Sequence, residues 1–512
     1  MNINKASSGI LSFLLSFIIF NSYSQEIPAF IPDSLDLYMS RAIVQWQVPG
    51  AAVAVVENGK VIYMKGFGTL EAGGSEKVDE NTLFMIGSNT KAFTATSLAI
   101  LEEEGKCSLE DKVRQWLPDF MMMDPWVANE INLTDILCHR IGMETYQGDF
   151  MYWTSDLSLK EVIEKFGKLS PKYGFRSRWG YTNACFAIAG ACIEKISGMP
   201  WESCIRSAIL DPLGMTRTLT LSTQIAGAAN AAKSHTLVNG KLVEIPYPKI
   251  DNLAPAGSIS SSVSDMSHWM ICLLDSGRYQ GRQVIPWEAI ERTRQPESIE
   301  GGSSTFFKST HFQLYGLGWE LSDYAGFGIV SHTGGVNGFA TSVTLVPERK
   351  IGIAIFTNSD MDDLYASAKR DILDAMLGQP YHDFNSIFLN AFNRNYAKDV
   401  QWVRSKRDSV SLHLRTSFPF EAYAGTYSND AYGTINIKAE KGKLVMTFQH
   451  HPDLKGEMES LGSNRFLCTY SDPEFGIKVI PFRAEDGKII SFDLHVADFI
   501  EETSYNFNKN QD

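Results

Sequence analysis

Apolar residues in this 512-residue chain run in short strand-like blocks near both ends and recur at helical spacing between them. Ala51 to Val56 and Val61 to Gly68 flank Glu57-Asn58-Gly59-Lys60. An Asn-Gly pair between such runs signals a tight hairpin, because both turn residues need positive φ. Helical spacing then dominates from Lys91 to Ile209, with Ala92, Ala95, Leu98 and Ala99 on one stripe of a helix over Lys91 to Leu101. It returns near Val263 to Ser276. Strand-like segments follow at Tyr315 to Leu321, Gly328 to Ser331, Ala340 to Val346 and Ile351 to Phe356, then a helix from Asp362 to Leu377. This order predicts an α/β (α+β) fold in which an antiparallel sheet is flanked by the first and last helices and carries a mainly helical insert. A cleft is expected between the two parts.

Pro380 to Arg415 reads as a connector with helical stretches. Beyond Pro419 the pattern changes to short strands separated by turns: Tyr423 to Tyr427, Gly433 to Lys438, Lys443 to Phe448, Ile477 to Phe482 and Lys488 to Leu494. These predict a small all-β barrel or sandwich. The expected division is a leader over 1–24, a main domain over 25–379, a linker over 380–418 and a barrel-like domain over 419–512. The last is expected to shape access or subunit contacts, so an oligomer through it is part of the expectation.

With 44% apolar and 21% charged residues the composition is that of an ordinary globular protein. Met1 to Ser24 departs from it: Lys5 precedes an almost unbroken apolar run from Ile10 to Phe20, and Ser22-Tyr23-Ser24 offers small residues for cleavage. The run is too short to span a bilayer and reads as a secretory signal peptide. No cysteine stands near it, so no lipid anchor is indicated. A periplasmic or secreted protein is expected, with no integral membrane segment once the signal is removed. Seven cysteines without close spacing argue against a disulfide framework. A net charge of −13 argues against nucleic-acid partners and against adhesion to anionic membranes. His450, His451 and His495 are expected in exposed turns rather than at a metal.

Candidate chemistry begins at Gly87-Ser88-Asn89-Thr90-Lys91. Residues three apart share a helix face, so the Lys91 ammonium is placed beside the Ser88 hydroxyl. A serine at a helix start also lies near unpaired backbone N–H groups and the positive end of the dipole. An acyl-enzyme nucleophile needs both a proton acceptor and oxyanion donors. Tyr181-Thr182-Asn183 follows, offering a phenol for proton transfer and an amide to orient a substrate carbonyl. His332-Thr333-Gly334-Gly335 precedes a strand-like segment, and its glycines allow close backbone approach. No Gly-x-Ser-x-Gly elbow, His-Glu-x-x-His, Walker loop or Cys-x-x-Cys supports competing chemistry.

The order Ser-x-x-Lys, Tyr-x-Asn, His-Thr-Gly, separated by 93 and 151 residues, resembles the serine β-lactamase and penicillin-binding-protein superfamily. The likeness is greatest to its β-lactamase-related hydrolases, near class C enzymes and esterases. It spans Leu35 to Leu377 and includes Leu133 to Arg140, Asp211 to Met215 and Ala254 to Gly257. The tail resembles the lipocalin-like domain that often follows such hydrolases.

By that resemblance Ser88 is the nucleophile, and Lys91 and Tyr181 share the proton transfers, Tyr181 more directly. The backbone N–H groups of Ser88 and Gly335 form the oxyanion hole, and Asn183, His332 and Gly334 contact substrate. No cofactor is implied, and the partner is a small-molecule ester, amide or peptide. Transfer to an alcohol, β-lactam turnover and penicillin sensing are the alternatives. Two departures bear on them. His332 stands where the family usually carries a carboxylate-binding lysine, and its His-x-Ser-Gly segment reads His139-Arg140-Ile141-Gly142, with His139 expected to be structural. The run Tyr146 to Trp153 is expected either to wall the cleft or to pack the insert.

Overall fold

A computed structural model describes residues 27–301 and 310–511. The signal peptide expected over 1–24 lies outside them. The hairpin turn forms as its sequence demands, with φ of 49° at Asn58 and 75° at Gly59. Its strands, Gly50–Glu57 and Lys60–Gly68, begin an eight-stranded antiparallel sheet. Ile351–Thr357, Phe339–Val346, Phe327–Val336, Glu320–Tyr324, Gln313–Tyr315 and Ser298–Gly301 follow in that spatial order.

Every residue of Gly50–Glu57 is buried, so both faces of the strand are covered. Ala51, Val53 and Val55 pack with Leu35, Met39 and Ile372 from the helices Leu35–Gln45 and Leu364–Met376. Ala52, Ala54 and Val56 face the other way, into the core of the helical insert. There Phe93 of the helix Thr90–Glu103 stacks on Trp269 of Val263–Leu274, with centroids 4.4 Å apart.

One strand needs correction, and the connector's helical stretches prove continuous. Tyr315 to Leu321 is a hairpin rather than one strand, because Gly316 to Trp319 turn between Gln313–Tyr315 and Glu320–Tyr324. Gly318, at φ 70°, has room for no side chain, since a Cβ would sit 2.6 Å from the Lys91 carbonyl oxygen. The connector is one helix of 28 residues, Phe384–Ser411, capped by Asp383, whose side chain accepts the Ser386 N–H. Among the described residues no helix is long and apolar enough to cross a membrane.

The tail is a closed eight-stranded barrel from Gly425–Asn429 to Tyr505–Lys509. Its interior is filled by aromatic rings, with Tyr423, Tyr427, Phe466, Phe482 and Phe492 in edge or tilted contact. The barrel docks on the insert segment 146–153. Phe150 stacks between Tyr432 and His451, each with its centroid 5.1 Å away. His451 is therefore buried rather than exposed, and its Nε2 lies 3.0 Å from the Trp153 carbonyl. Glu501 completes the joint: one carboxylate oxygen accepts the Gly148 N–H at 2.8 Å and the other the Phe150 N–H at 3.0 Å. The Tyr432 and Tyr505 hydroxyls also donate to it.

Glu501→Gln keeps the shape but turns one of those acceptors into a donor. The expected cost is that of a buried backbone N–H left unpaired, about 1–3 kcal/mol. A thermal melt of the variant should show a lowered midpoint, and an unchanged one would mean that the joint does not depend on this carboxylate.

Candidate functional site

Gly87–Asn89 forms a short turn that runs directly into the helix Thr90–Glu103. Gly87 has φ 52°, and a Cβ on it would come within 3.0 Å of the Gly335 backbone. Glycine is required there because the turn crosses the strand Phe327–Val336, which carries Ser88 to the strand edge. The neighbouring strand pairs with Phe327 to Ser331 only, so the edge from His332 onward is left to the turn. Gly334 lies as close: a Cβ on it would sit 1.9 Å from the Ile86 carbonyl oxygen. Gly87 and Gly334 thus allow the strand and the Ser88 turn to touch backbone to backbone.

Lys91 is fully buried beneath Ser88. Its Nζ lies 3.1 Å from Ser88 Oγ, 2.7 Å from Asn183 Oδ1 and 2.8 Å from the Ala256 carbonyl oxygen. An amide oxygen and a carbonyl can only accept, so each takes an N–H whether the lysine is charged or neutral. The remaining position faces Ser88, where an ammonium donates and a neutral amine offers a lone pair. Burial lowers the pKa of Lys91 to about 7, against the opposing pull of Asp149.

Tyr181 stands on the other side of the amine, its ring centroid 4.7 Å from Nζ. Burial pushes its phenol well above the ordinary value, with Tyr146 adding to the rise and a hydrogen bond with Ser88 opposing it. It is a neutral phenol at physiological pH. His139 fixes its loop: the imidazole centroid is 4.4 Å from the Tyr181 ring, and Nδ1 accepts the Thr182 N–H at 3.1 Å. Asp135, at the base of this loop, accepts from Arg140 at 2.6 Å and from Arg176 at 2.7 Å.

Asn183 holds Lys91 with its oxygen and donates from Nδ2 to Asp149 at 2.6 Å. His332 is held neutral, since burial and the nearby Lys91 lower its pKa to about 3. Its Nδ1 lies 2.6 Å from the Thr333 carbonyl, which can only accept, so Nδ1 carries the proton. Nε2 then accepts from the Tyr315 hydroxyl at 2.9 Å.

Ser88, Tyr181, Asn183, His332 and Gly335 all line one cavity of about 190 Å³. Lys91 and Gly334 do not line it: Lys91 reaches it only through its contact with Ser88, and Gly334 abuts the Ile86 carbonyl. The aromatic run is divided: Tyr146 and Trp153 face the cavity, while Phe150 faces the barrel.

Four contributors escape the sequence pattern. Ala256 supplies only a carbonyl, which no side-chain pattern marks. Asp149 is a lone acid inside an apolar run, and such a residue is rarely buried unless it has a partner. That signal was available. Phe499 and Ile500 come from the barrel and line the cavity, with Phe499 Cε2 3.3 Å from where a Cβ on Gly335 would lie.

The family model described as beta-lactamase matches residues 35–377, more than half of the chain. The chain belongs to the beta-lactamase family. A second model, a domain of unknown function (DUF3471), matches 412–510. The unguisins hydrolase ungD of Aspergillus violaceofuscus is 27% identical over 79% of this chain and 76% of its own length. Penicillin-binding protein 4* of Bacillus subtilis is 28% identical over 64% of this chain and 72% of its own. Among solved structures, an octameric penicillin-binding protein homologue from Pyrococcus abyssi aligns with a TM-score of 0.58 at 21% identity. The alignment covers 93% of this chain and 99% of that one, so the shared fold includes the barrel. The D-stereospecific amidohydrolase from Streptomyces sp. aligns with a TM-score of 0.55 at 21% identity, over 67% of this chain and 98% of its own. The protein is a beta-lactamase-fold serine hydrolase.

Phe499→Ala removes a ring from the cavity wall and touches no proton-transferring group. Hydrolysis of p-nitrophenyl acetate is expected to change less than about threefold, while a bulky acyl ester gains in kcat/KM, by an order of magnitude at most. Steady-state kinetics on the two esters checks this.

Proposed function

We propose that this protein is an exported hydrolase that cleaves an ester, amide or related carbonyl substrate through an acyl-enzyme on Ser88. The observation that carries this reading is the Lys91 amine, held by two obligate acceptors with its third position on Ser88 Oγ. Ser88 Oγ attacks the carbonyl carbon as its proton passes to Lys91 Nζ. The oxyanion is met by the backbone N–H groups of Ser88 and Gly335, donors worth roughly 3–4 kcal/mol each in comparable sites. Lys91 returns the proton to the leaving group through the Tyr181 hydroxyl, and water then releases the acyl group by the same steps in reverse.

Lys91, brought down to about 7 by burial, is a better acceptor near neutrality than the Tyr181 phenol, which burial pushes up. The proton acceptor in this reading is therefore Lys91, with Tyr181 as relay, rather than Tyr181 directly. An amide substrate agrees with the D-stereospecific amidohydrolase among the similar solved structures. The buried neutral His332 lacks the charge with which a lysine would hold a β-lactam carboxylate. Export rests on the signal peptide expected at 1–24, with the periplasm or the medium as destination. Oligomerisation agrees with the octameric state given for the Pyrococcus abyssi homologue, and the barrel is the surface proposed for it.

Ser88→Ala should abolish labelling by a fluorophosphonate and reduce p-nitrophenyl ester turnover to background. Undiminished labelling of the variant overturns the assignment. Adding an alcohol to the ester assay and identifying the product separates hydrolysis from acyl transfer.

The pH profile follows from Lys91, which must be neutral to accept the proton. A group with a pKa near 7 is mostly charged at pH 6 and mostly neutral at pH 8. Over that interval kcat/KM should rise about tenfold, from the ratio of neutral fractions. A profile flat from pH 6 to 8 would place the base elsewhere.

A further inference from the structure

The charge of the cleft points to a substrate class. Among the described residues lining the cavity over Ser88 are three acids, Asp149, Glu300 and Glu320, and no lysine or arginine. Lys91 beneath it is committed to its three contacts, and His332 has both ring nitrogens engaged. The wall also presents Tyr146, Trp153 and Trp179, whose ring faces attract cations.

One acid is incompletely used. Asp149 is 2% exposed and lines the cavity, with Oδ2 accepting from Asn183 but Oδ1 without a partner. A buried carboxylate oxygen with no donor is costly unless something supplies one. Glu320 accepts from Ser331 at 3.4 Å and, with Glu300, also borders an adjoining cavity that contains Lys369 and Arg370. Those two cations lie outside the lining of the Ser88 cleft, and Lys369 acts on Glu320 from that far side. Toward Ser88 the cleft is acidic and aromatic, and the net charge of −13 adds a long-range attraction for cations.

We propose that the acyl donor carries a protonated amine, seated among Asp149, Glu300 and Glu320 against the aromatic wall, so that the enzyme acts on amino-acyl esters or amides with a free amine. This rests on the Ser88 acyl-enzyme reading and narrows its substrate. A carboxylate at the same place meets three acids whose pKa burial already raises, Glu300 to about 7, so a further negative charge is disfavoured there while a cation would hold them ionised.

The test is protection of Ser88 from a fluorophosphonate, which reads binding whether or not a compound is turned over. Phenylalanine amide, N-acetylphenylalanine amide and N-succinylphenylalanine amide, each as D and L forms, offer an amine, a neutral group and a carboxylate on one frame. At pH 7.5 the free amine should protect at a concentration at least tenfold below its acetylated counterpart in one of the two series, with the succinylated compound weakest. In the double variant Glu300→Gln, Glu320→Gln the ratio of amine to acetyl protection should fall toward one. Using a ratio within each protein cancels any general loss of reactivity. Equal or better protection by the acetylated or succinylated compounds in both series overturns the proposal, as does an unchanged ratio in the variant. Failure of the wild-type serine to label at all would instead refute the acyl-enzyme reading.

Discussion

A lysine with no exposed surface organises this molecule. An ammonium removed from water is tolerated only with acceptors around it, or by giving up its proton. Lys91 does some of each: Asn183 and Ala256 take two of its N–H groups, and burial brings the amine to about 7. Each acceptor needs its own support. Asn183 is oriented by Asp149, and Ala256 belongs to the buried turn Ala254–Gly257. Gly318 lets a hairpin of the sheet rest on the Lys91 carbonyl. Sheet, insert and turn all converge on keeping one amine dry and pointed at one hydroxyl.

The barrel belongs to the same construction. The segment 146–153 carries Asp149 on the cleft side and Phe150 on the barrel side, so the residue that orients Asn183 adjoins the one that seats the barrel. Glu501 fixes the backbone of that segment on both sides of Asp149, through Gly148 and Phe150. Phe499, two residues earlier, reaches the cavity. A tail with none of the catalytic motifs is thus joined to the site by backbone hydrogen bonds and one ring.

What the sequence made legible follows the range of the interactions. The Asn58-Gly59 hairpin is local, and its turn residues specify it. Ser88 and Lys91 share a helix face by spacing alone, and the convergence of Tyr181 and His332 on them was legible only through resemblance to a family. The expected strand at Tyr315 to Leu321 is broken for long-range reasons, since Gly316 abuts the Thr293 carbonyl and Gly318 that of Lys91. The connector concealed a single helix because few of its residues are buried, and a weak apolar stripe carries little signal. His451 looked like an exposed turn residue until Phe150, some three hundred positions away, was seen to cover it. Asp149 is marked as a lone acid in an apolar run, but its partner is not, because Asn183 lies on a different element.

The role of Tyr181 follows from the same burial. A phenol beside a positive charge is easily read as a base, but the charge that would lower its pKa is itself suppressed. Lys91 near neutrality gives only part of a cation, while the rings of His139 and Tyr146 exclude water from the phenol. His139 and His332 are both held neutral by burial, so neither adds charge. Desolvation therefore moves the two groups in opposite directions, the amine toward accepting a proton and the phenol toward keeping one. A phenol hydrogen-bonded with the serine, with its pKa raised, is suited in the proposed mechanism to passing a proton along that bond rather than storing it. The proposed division of labour depends on the burial of Lys91 and Tyr181, to which the aromatic packing around Tyr181 contributes and which the spacing of the motifs does not encode.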